Sequence, residues 1–128
     1  MRMLLDTHVA LWAITDDERL SAAARELIAE PASTVVVSAV SIWEIAIKRS
    51  LSRDEMPVSA SAAIRYFQRA GYVMLDVKAE HAAGVEKLPP IHADPFDRLL
   101  VAQALAEPLR LLTHDATVAR YSDSIMLV

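Results

Sequence analysis

Five short apolar runs, "MRMLL", "STVVVS", "YVMLDV", "RLLTHD" and "SIMLV", are spaced along the chain with helical periodicity between them. This alternation most narrows what the chain can fold into. A run of about five apolar residues without a polar alternate is buried on both faces, and strands of that kind belong to parallel sheets covered by helices. The intervening segments supply such helices. One begins at Asp6 and carries Trp12 and Ile14. A second lies in "DDERLSAAARELIAEP", capped at Ser21 and stopping near Pro31. "VSIWEIAIKRS" and "MPVSASAAIRYFQRAG" follow, the latter closed by Gly71. "KAEHAAGVEKL" is expected to be helical with a weak point at Gly84. A "PP" loop then leads to "HADPFDRLLVAQALA", and a short helical turn reaches about Tyr121. The expectation is an α/β fold with a mostly parallel sheet, and ligands in such sheets gather outside the carboxyl ends of the strands.

Composition removes several functional classes. At 128 residues the chain is expected to form one domain spanning 1–128 with one core. Hydrophobic residues make up 54 % and there are two glycines, which argues against disorder and against a glycine-cradled phosphate site. With no cysteine there are no disulfides, thiolate zinc sites or thiol nucleophiles, and a reducing cytoplasm is the expected compartment. Charge interrupts every apolar run well short of the roughly 20 residues that cross a bilayer. "MRMLLDTHVALW" has an acid inside its apolar stretch and no small-residue cleavage site, so it does not read as a signal peptide. A net charge of −4 does not advertise nucleic-acid binding, although it would hide a local basic patch.

The acids carry the chemistry. Asp6 follows "MLL", Glu44 follows "TVVVS" by a few residues, Asp97 opens an almost unbroken apolar helix, and Asp115 follows "RLLT". Each has an ordinary explanation. Asp6, Asp94 ahead of Pro95, and Asp115 suit helix N-caps, and Ser41 with Glu44 has the spacing of a capping box. A parallel sheet would nevertheless bring three of them to one edge, and Glu44 within reach if its helix starts near Ser38; four carboxylates there repel and raise some of their pKa values unless a cation binds. Oxygen ligands without histidine or cysteine suit Mg²⁺ or Mn²⁺, and such an ion at a phosphate means phosphoryl chemistry.

The stretches "LLDTHVALW", "VSAVSIWEIAIK", "DPFDRLLVAQA" and "LLTHD" resemble, in order and approximate spacing, the motifs of PIN-domain ribonucleases, most closely the VapC-like toxins of toxin–antitoxin pairs. The resemblance runs from Met3 to Asp115. It implies a PIN-like three-layer α/β/α fold with a short, mostly parallel central sheet, metal-dependent cleavage of RNA, a homodimer, and a cognate antitoxin whose tail enters the active-site groove. By position, Asp6, Glu44 and Asp97 match the family's core acids and Asp115 its fourth. Asp94 matches an acid of the "DPFDR" subgroup. Thr7, Ser41, Arg98 and Thr113 fall near the site.

His8, His81, His92 and His114 are not spaced as a zinc pair, so surface or turn placement is expected, although His8 and His114 neighbour site acids. Lys48, Arg49 and Arg53 suit either RNA phosphates or the helix dipole, and Arg98 either a phosphate or an acid. Trp12 and Trp43 are expected in core or dimer packing. A phosphatase with Asp6 as nucleophile is disfavoured, because the acid–base aspartate that such chemistry wants two residues later is His8 here. The remaining alternative is a non-catalytic module that binds RNA or a protein tail, with the acids serving as caps.

Overall fold

A computed structural model describes residues 1–128. In chain order the elements are β1 (Arg2–Leu5), α1 (Thr7–Thr15), α2 (Ala22–Ala29), β2 (Thr34–Ser38), α3 (Ala39–Leu51), α4 (Ala60–Arg69), β3 (Val73–Leu75), α5 (Ala79–Gly84), α6 (Pro95–Ala106), β4 (Arg110–Thr113), α7 (Ala116–Ala119) and β5 (Met126–Leu127). The five strands form one wholly parallel sheet in the order β3-β2-β1-β4-β5.

The strand residues alternate between two cores. Met3, Leu5, Val35, Val37 and Leu112 face α1 and α2, together with Ile45 of α3 and Phe67 of α4. Leu4, Val36 and Leu111 face Leu100, Val101 and Ala104 of α6. Period-two alternation thus supplies both faces of the sheet, and helices on each side complete three layers. Helix α3 gives Val40 to one core and Ile45 to the other. Leu5 is fully buried, and its truncation to Ala would cost about 2–5 kcal/mol.

One buried polar cluster lies within these layers. Gln103, inside α6, accepts a hydrogen bond from the Ser38 hydroxyl at 2.5 Å and donates to the Asp76 carbonyl at 3.3 Å. Beside it, His81 is 1 % exposed. Its Nδ1 accepts the Lys78 amide at 3.0 Å, and its Nε2–H donates to Glu107 at 2.6 Å. The network joins β2, α5 and α6.

Local departures from the sequence reading have local causes. Ser38, not Ser41, caps α3, its hydroxyl accepting from Val40 N–H at 3.0 Å. The Ser41–Glu44 spacing is therefore no capping box, because both residues lie inside the helix. "KAEHAAGVEKL" breaks after Gly84 into a 3₁₀ turn over Val85–Lys87. Helix α4 starts only at Ala60, where the Ser59 hydroxyl takes the Ala62 amide. It ends at Gly71, whose φ of 82° is open to glycine at no steric cost.

The strand order fixes where a site can form. From β1 the chain builds outward through β2 and β3, then returns to the other flank of β1 at β4. That reversal leaves a crevice beyond the carboxyl ends of β1 and β4, where Asp6 and Asp115 sit.

Candidate active site

Asp6 is the first residue after β1 and is 5 % exposed. One carboxylate oxygen caps α1 by accepting Val9 N–H at 2.9 Å, and the other accepts the Thr113 hydroxyl at 2.5 Å. Thr113, the last residue of β4, thereby ties the two central strands together at the site. Thr7 and Ser41 share a buried hydroxyl contact at 2.9 Å that fixes α1 against α3.

Glu44 is 3 % exposed, one turn into α3. Its Oε2 accepts the Lys48 ammonium at 2.5 Å, whereas its Oε1 is buried with no partner. Asp94 caps α6, taking Phe96 N–H at 2.8 Å and Asp97 N–H at 3.4 Å, with Pro95 at the first helical position. Asp97 sits in that first turn and caps nothing. Asp115 caps α7 through Thr117 N–H at 2.8 Å.

The sequence reading left His92 in a turn or on the surface. The structure puts it inside the acid cluster. Its Nδ1 accepts Asp94 N–H at 3.0 Å, so a neutral ring carries its proton on Nε2. That nitrogen lies 3.0 Å from Asp115 and 3.4 Å from Asp97. One donor atom from each of His92, Asp97 and Asp115 falls within 4.8 Å of the others. The only sequence signal was its position two residues ahead of the Asp94 cap.

Burial, then the charges of Asp94, Asp6 and Glu44, push the Asp97 pKa up to about 7, against the opposing pull of His92. The Asp6 carboxyl is also raised, by burial, although the Thr113 hydroxyl and Val9 amide hold it down. At Asp115 burial acts upward, but hydrogen bonds from His92 and its own helix N-terminus prevail and lower it. For Lys48, burial acts downward and is outweighed by Glu44, Asp94 and Asp97, so the ammonium is strengthened. The structure therefore couples Asp6, Glu44, Asp94 and Asp97 through charge, and attaches Asp115 at the rim through His92.

Several basic candidates are committed elsewhere. Arg98 pairs with no acid. Its guanidinium donates to the carbonyls of Pro89 and Val85 at 3.1 and 3.2 Å and to the Tyr121 hydroxyl at 3.0 Å, clamping the loop ahead of α6. Arg49 donates to the Met56 carbonyl at 2.7 Å. Lys48 turns back to Glu44, so its role is that of a counter-cation to the acids. Trp12 lies in the core, whereas Trp43 is 53 % exposed and meets Phe96 edge-on at 4.8 Å.

Doubly covered parallel strands with acids gathered at a topological reversal define an α/β fold with an acidic cleft, and comparison with known proteins places it. Residues 3–123 match the family model described as PIN domain, and the chain belongs to that family. It is similar to Ribonuclease VapC22 of Mycobacterium tuberculosis, 34 % identical over 115 residues that cover 88 % of this chain and 86 % of that protein. Two solved structures share the fold. VapBC2 from Rickettsia felis, bound to a DNA fragment from its promoter, has a TM-score of 0.71 at 20 % identity, covering 98 % of this chain and 96 % of that one. FitAcB from Neisseria gonorrhoeae has a TM-score of 0.63 at 20 % identity, covering 96 % of this chain and 94 % of that one.

Proposed function

We propose that the chain is a Mg²⁺- or Mn²⁺-dependent endoribonuclease acting as the toxin of a toxin–antitoxin pair. The observation that carries this reading is the unpartnered, buried Glu44 Oε1 in one charge-coupled cluster with Asp97. A buried acceptor left without a donor is costly, and an acid whose pKa burial and like charges hold at about 7 is relieved by a cation. The donor set fits a hard ion. Asp6, Glu44, Asp97 and Asp115 would hold it, with Asp94 beside them. When bound, the ion supplies an activated water and stabilises charge on the phosphodiester.

The chain's own residues prepare that site. Asp6 is locked by Val9 and Thr113, so its carboxylate presents one orientation. His92 restrains Asp97 and Asp115 on one side, and Lys48 holds Glu44 on the other.

The wider reading is one PIN domain over residues 1–128 that cleaves RNA in the cytoplasm, forms a homodimer and is restrained by a cognate antitoxin. The relationship to Ribonuclease VapC22 supports the substrate class, and the likeness to VapBC2 and FitAcB supports the fold in which such pairing occurs. The exposed Trp43, resting on the half-buried Phe96, offers apolar surface for a second copy or a partner. No helix is long and apolar enough to cross a membrane.

The test is cleavage of single-stranded RNA by purified protein with Mg²⁺, with Mn²⁺ and with excess chelator. Cleavage confined to the metal-containing reactions is the expected result. Undiminished cleavage in chelator would overturn the metal reading. Specific RNA binding without cleavage in any condition would favour the non-catalytic module. Arrest of growth on expression, relieved by co-expressing the small protein encoded next to this chain, tests the toxin role separately.

A further inference from the structure

A cleft of about 490 Å³ opens beside the acids on the α1 side, bounded by Asp6, His8, Trp12, Arg19, His114 and Asp115. Sites for small ligands span roughly 300–1,000 Å³, so one planar group fits. Its walls are aromatic. The buried Trp12 indole forms the floor, with the His114 ring edge-on at 5.1 Å and the His8 ring at 6.0 Å. His114 is fixed in place, since its Nδ1–H donates to the main-chain oxygen of Val128 at 3.0 Å.

The charges decide what the cleft admits. Arg19 lies 5.2 Å over the Trp12 ring, but its guanidinium is already paired with Asp17 at 2.8 and 3.1 Å. It therefore lends the cleft a flat face, with its charge partly answered by Asp17. Asp6 and Asp115 bound the inner end with negative charge. With the scissile phosphate placed at the ion these acids would hold, the cleft beyond them is left to an uncharged group. A neutral planar ring meets stacking surfaces on the imidazoles and the Trp12 indole, and a nucleobase is such a group.

We propose that this cleft is a nucleobase subsite, seating the base of a nucleotide that flanks the scissile phosphate. The subsite rests on the ribonuclease reading, since the cleft shares Asp6 and Asp115 with the proposed catalytic centre. His8 and His114 stack on the base and set its position. They are positioning residues, and their loss weakens substrate capture more than turnover.

The test uses a single-stranded RNA that the wild type cuts, with nucleotides around the cut replaced one at a time by an abasic ribose. One flanking position is expected at which base loss raises KM about tenfold with little change in kcat, the size of effect that one stacked base carries. In the His8→Ala/His114→Ala double variant KM on intact RNA should rise by a similar factor, and that abasic position should become indifferent. His8→Phe, which keeps a planar ring, should retain most of the wild-type KM. Both histidines are exposed, so thermal melts of the variants should match the wild type. A double variant with unchanged KM, or one that keeps the full abasic penalty, would overturn the subsite while leaving the nuclease intact. RNA left uncut by the wild type in both metals would instead overturn the ribonuclease reading itself.

Discussion

Helix α6 passes through two buried polar clusters that differ in one respect. Midway along it, Gln103 and His81 satisfy Ser38, Asp76, Lys78 and Glu107. At its N-terminus, Asp97 faces Asp94, Asp6 and Glu44, and Glu44 Oε1 has no donor at all. The first cluster is complete without any ligand, so it serves the fold: it ties β2 and α5 to α6 and gives the core one register. The second is incomplete and self-repelling, which the fold alone would not favour. Burial of polar side chains does not mark a site here; unmet hydrogen-bonding and charge demand does.

Mutations should separate the two clusters most sharply at Asp97. Asp97→Asn removes one charge from the repelling group and keeps the volume, so RNA cleavage should fall by at least about a hundredfold, the scale of losing a main electrostatic contributor. The metal-free melting temperature should stay equal or rise. A variant cleaving at the parental rate would remove Asp97 from the site, and a clear loss of stability would place it among the structural residues.

Gln103→Leu should do the reverse. It strips partners from the Ser38 hydroxyl and the Asp76 carbonyl and should cost about 1–3 kcal/mol in denaturant unfolding, with activity per folded molecule near normal. Lost activity in a stably folded variant would mean that the two clusters are coupled along α6.

The pH dependence of metal-free stability sharpens the contrast further. The folded-state pKa of Asp97, about 7, lies above the ordinary value of 3.8, so the native state binds the extra proton between them. The contribution of this group is therefore greatest at the acid end, declines as pH rises from about 4 to about 7, and levels off above. Thermal melts across that window should show the decline in the wild type and a flatter curve in Asp97→Asn. Saturating Mn²⁺ should stabilise the wild type above pH 7 and the variant clearly less. Parallel curves for the two proteins would show that the carboxyl is not strained.

The smallest effect is expected at Ser41. Ser41→Ala leaves the buried Thr7 hydroxyl alone and should cost about 1 kcal/mol, with a modest loss of cleavage because Asp6 caps α1 and α3 carries Glu44.

The sheet and the acids were legible in the sequence because both follow from short-range rules. Unbroken apolar runs declare doubly covered strands, and acids at strand ends declare a carboxyl-edge cluster. Capping and clustering also prove compatible: Asp6, Asp94 and Asp115 cap their helices, while Asp6 and Asp115 line one cleft and His92 links Asp94 to Asp115. What local spacing could not convey was who meets whom across the fold. Ser38 displaced Ser41 as the cap because β2 runs directly into α3. His92 joined the acids only because the loop held by Arg98 and Tyr121 folds it back onto Asp115. Lys48 as counter-cation was hidden by its place near a helix C-terminus, where the dipole alone explains a base.

On the toxin role proposed above, the unequal anchoring of the acids bears on how a cell would escape such a chain. Asp6 secures a helix start and a strand end, whereas Asp97 secures neither. Under growth selection against such a toxin, survivors altered at Asp97 would accumulate a folded, inert protein still able to occupy the proposed antitoxin. Survivors carrying Asp6→Ala would lose both anchors and be cleared by proteolysis. The first kind of survivor would spread its effect to any intact copy in the same cell by drawing the antitoxin away, and the second would leave that copy restrained.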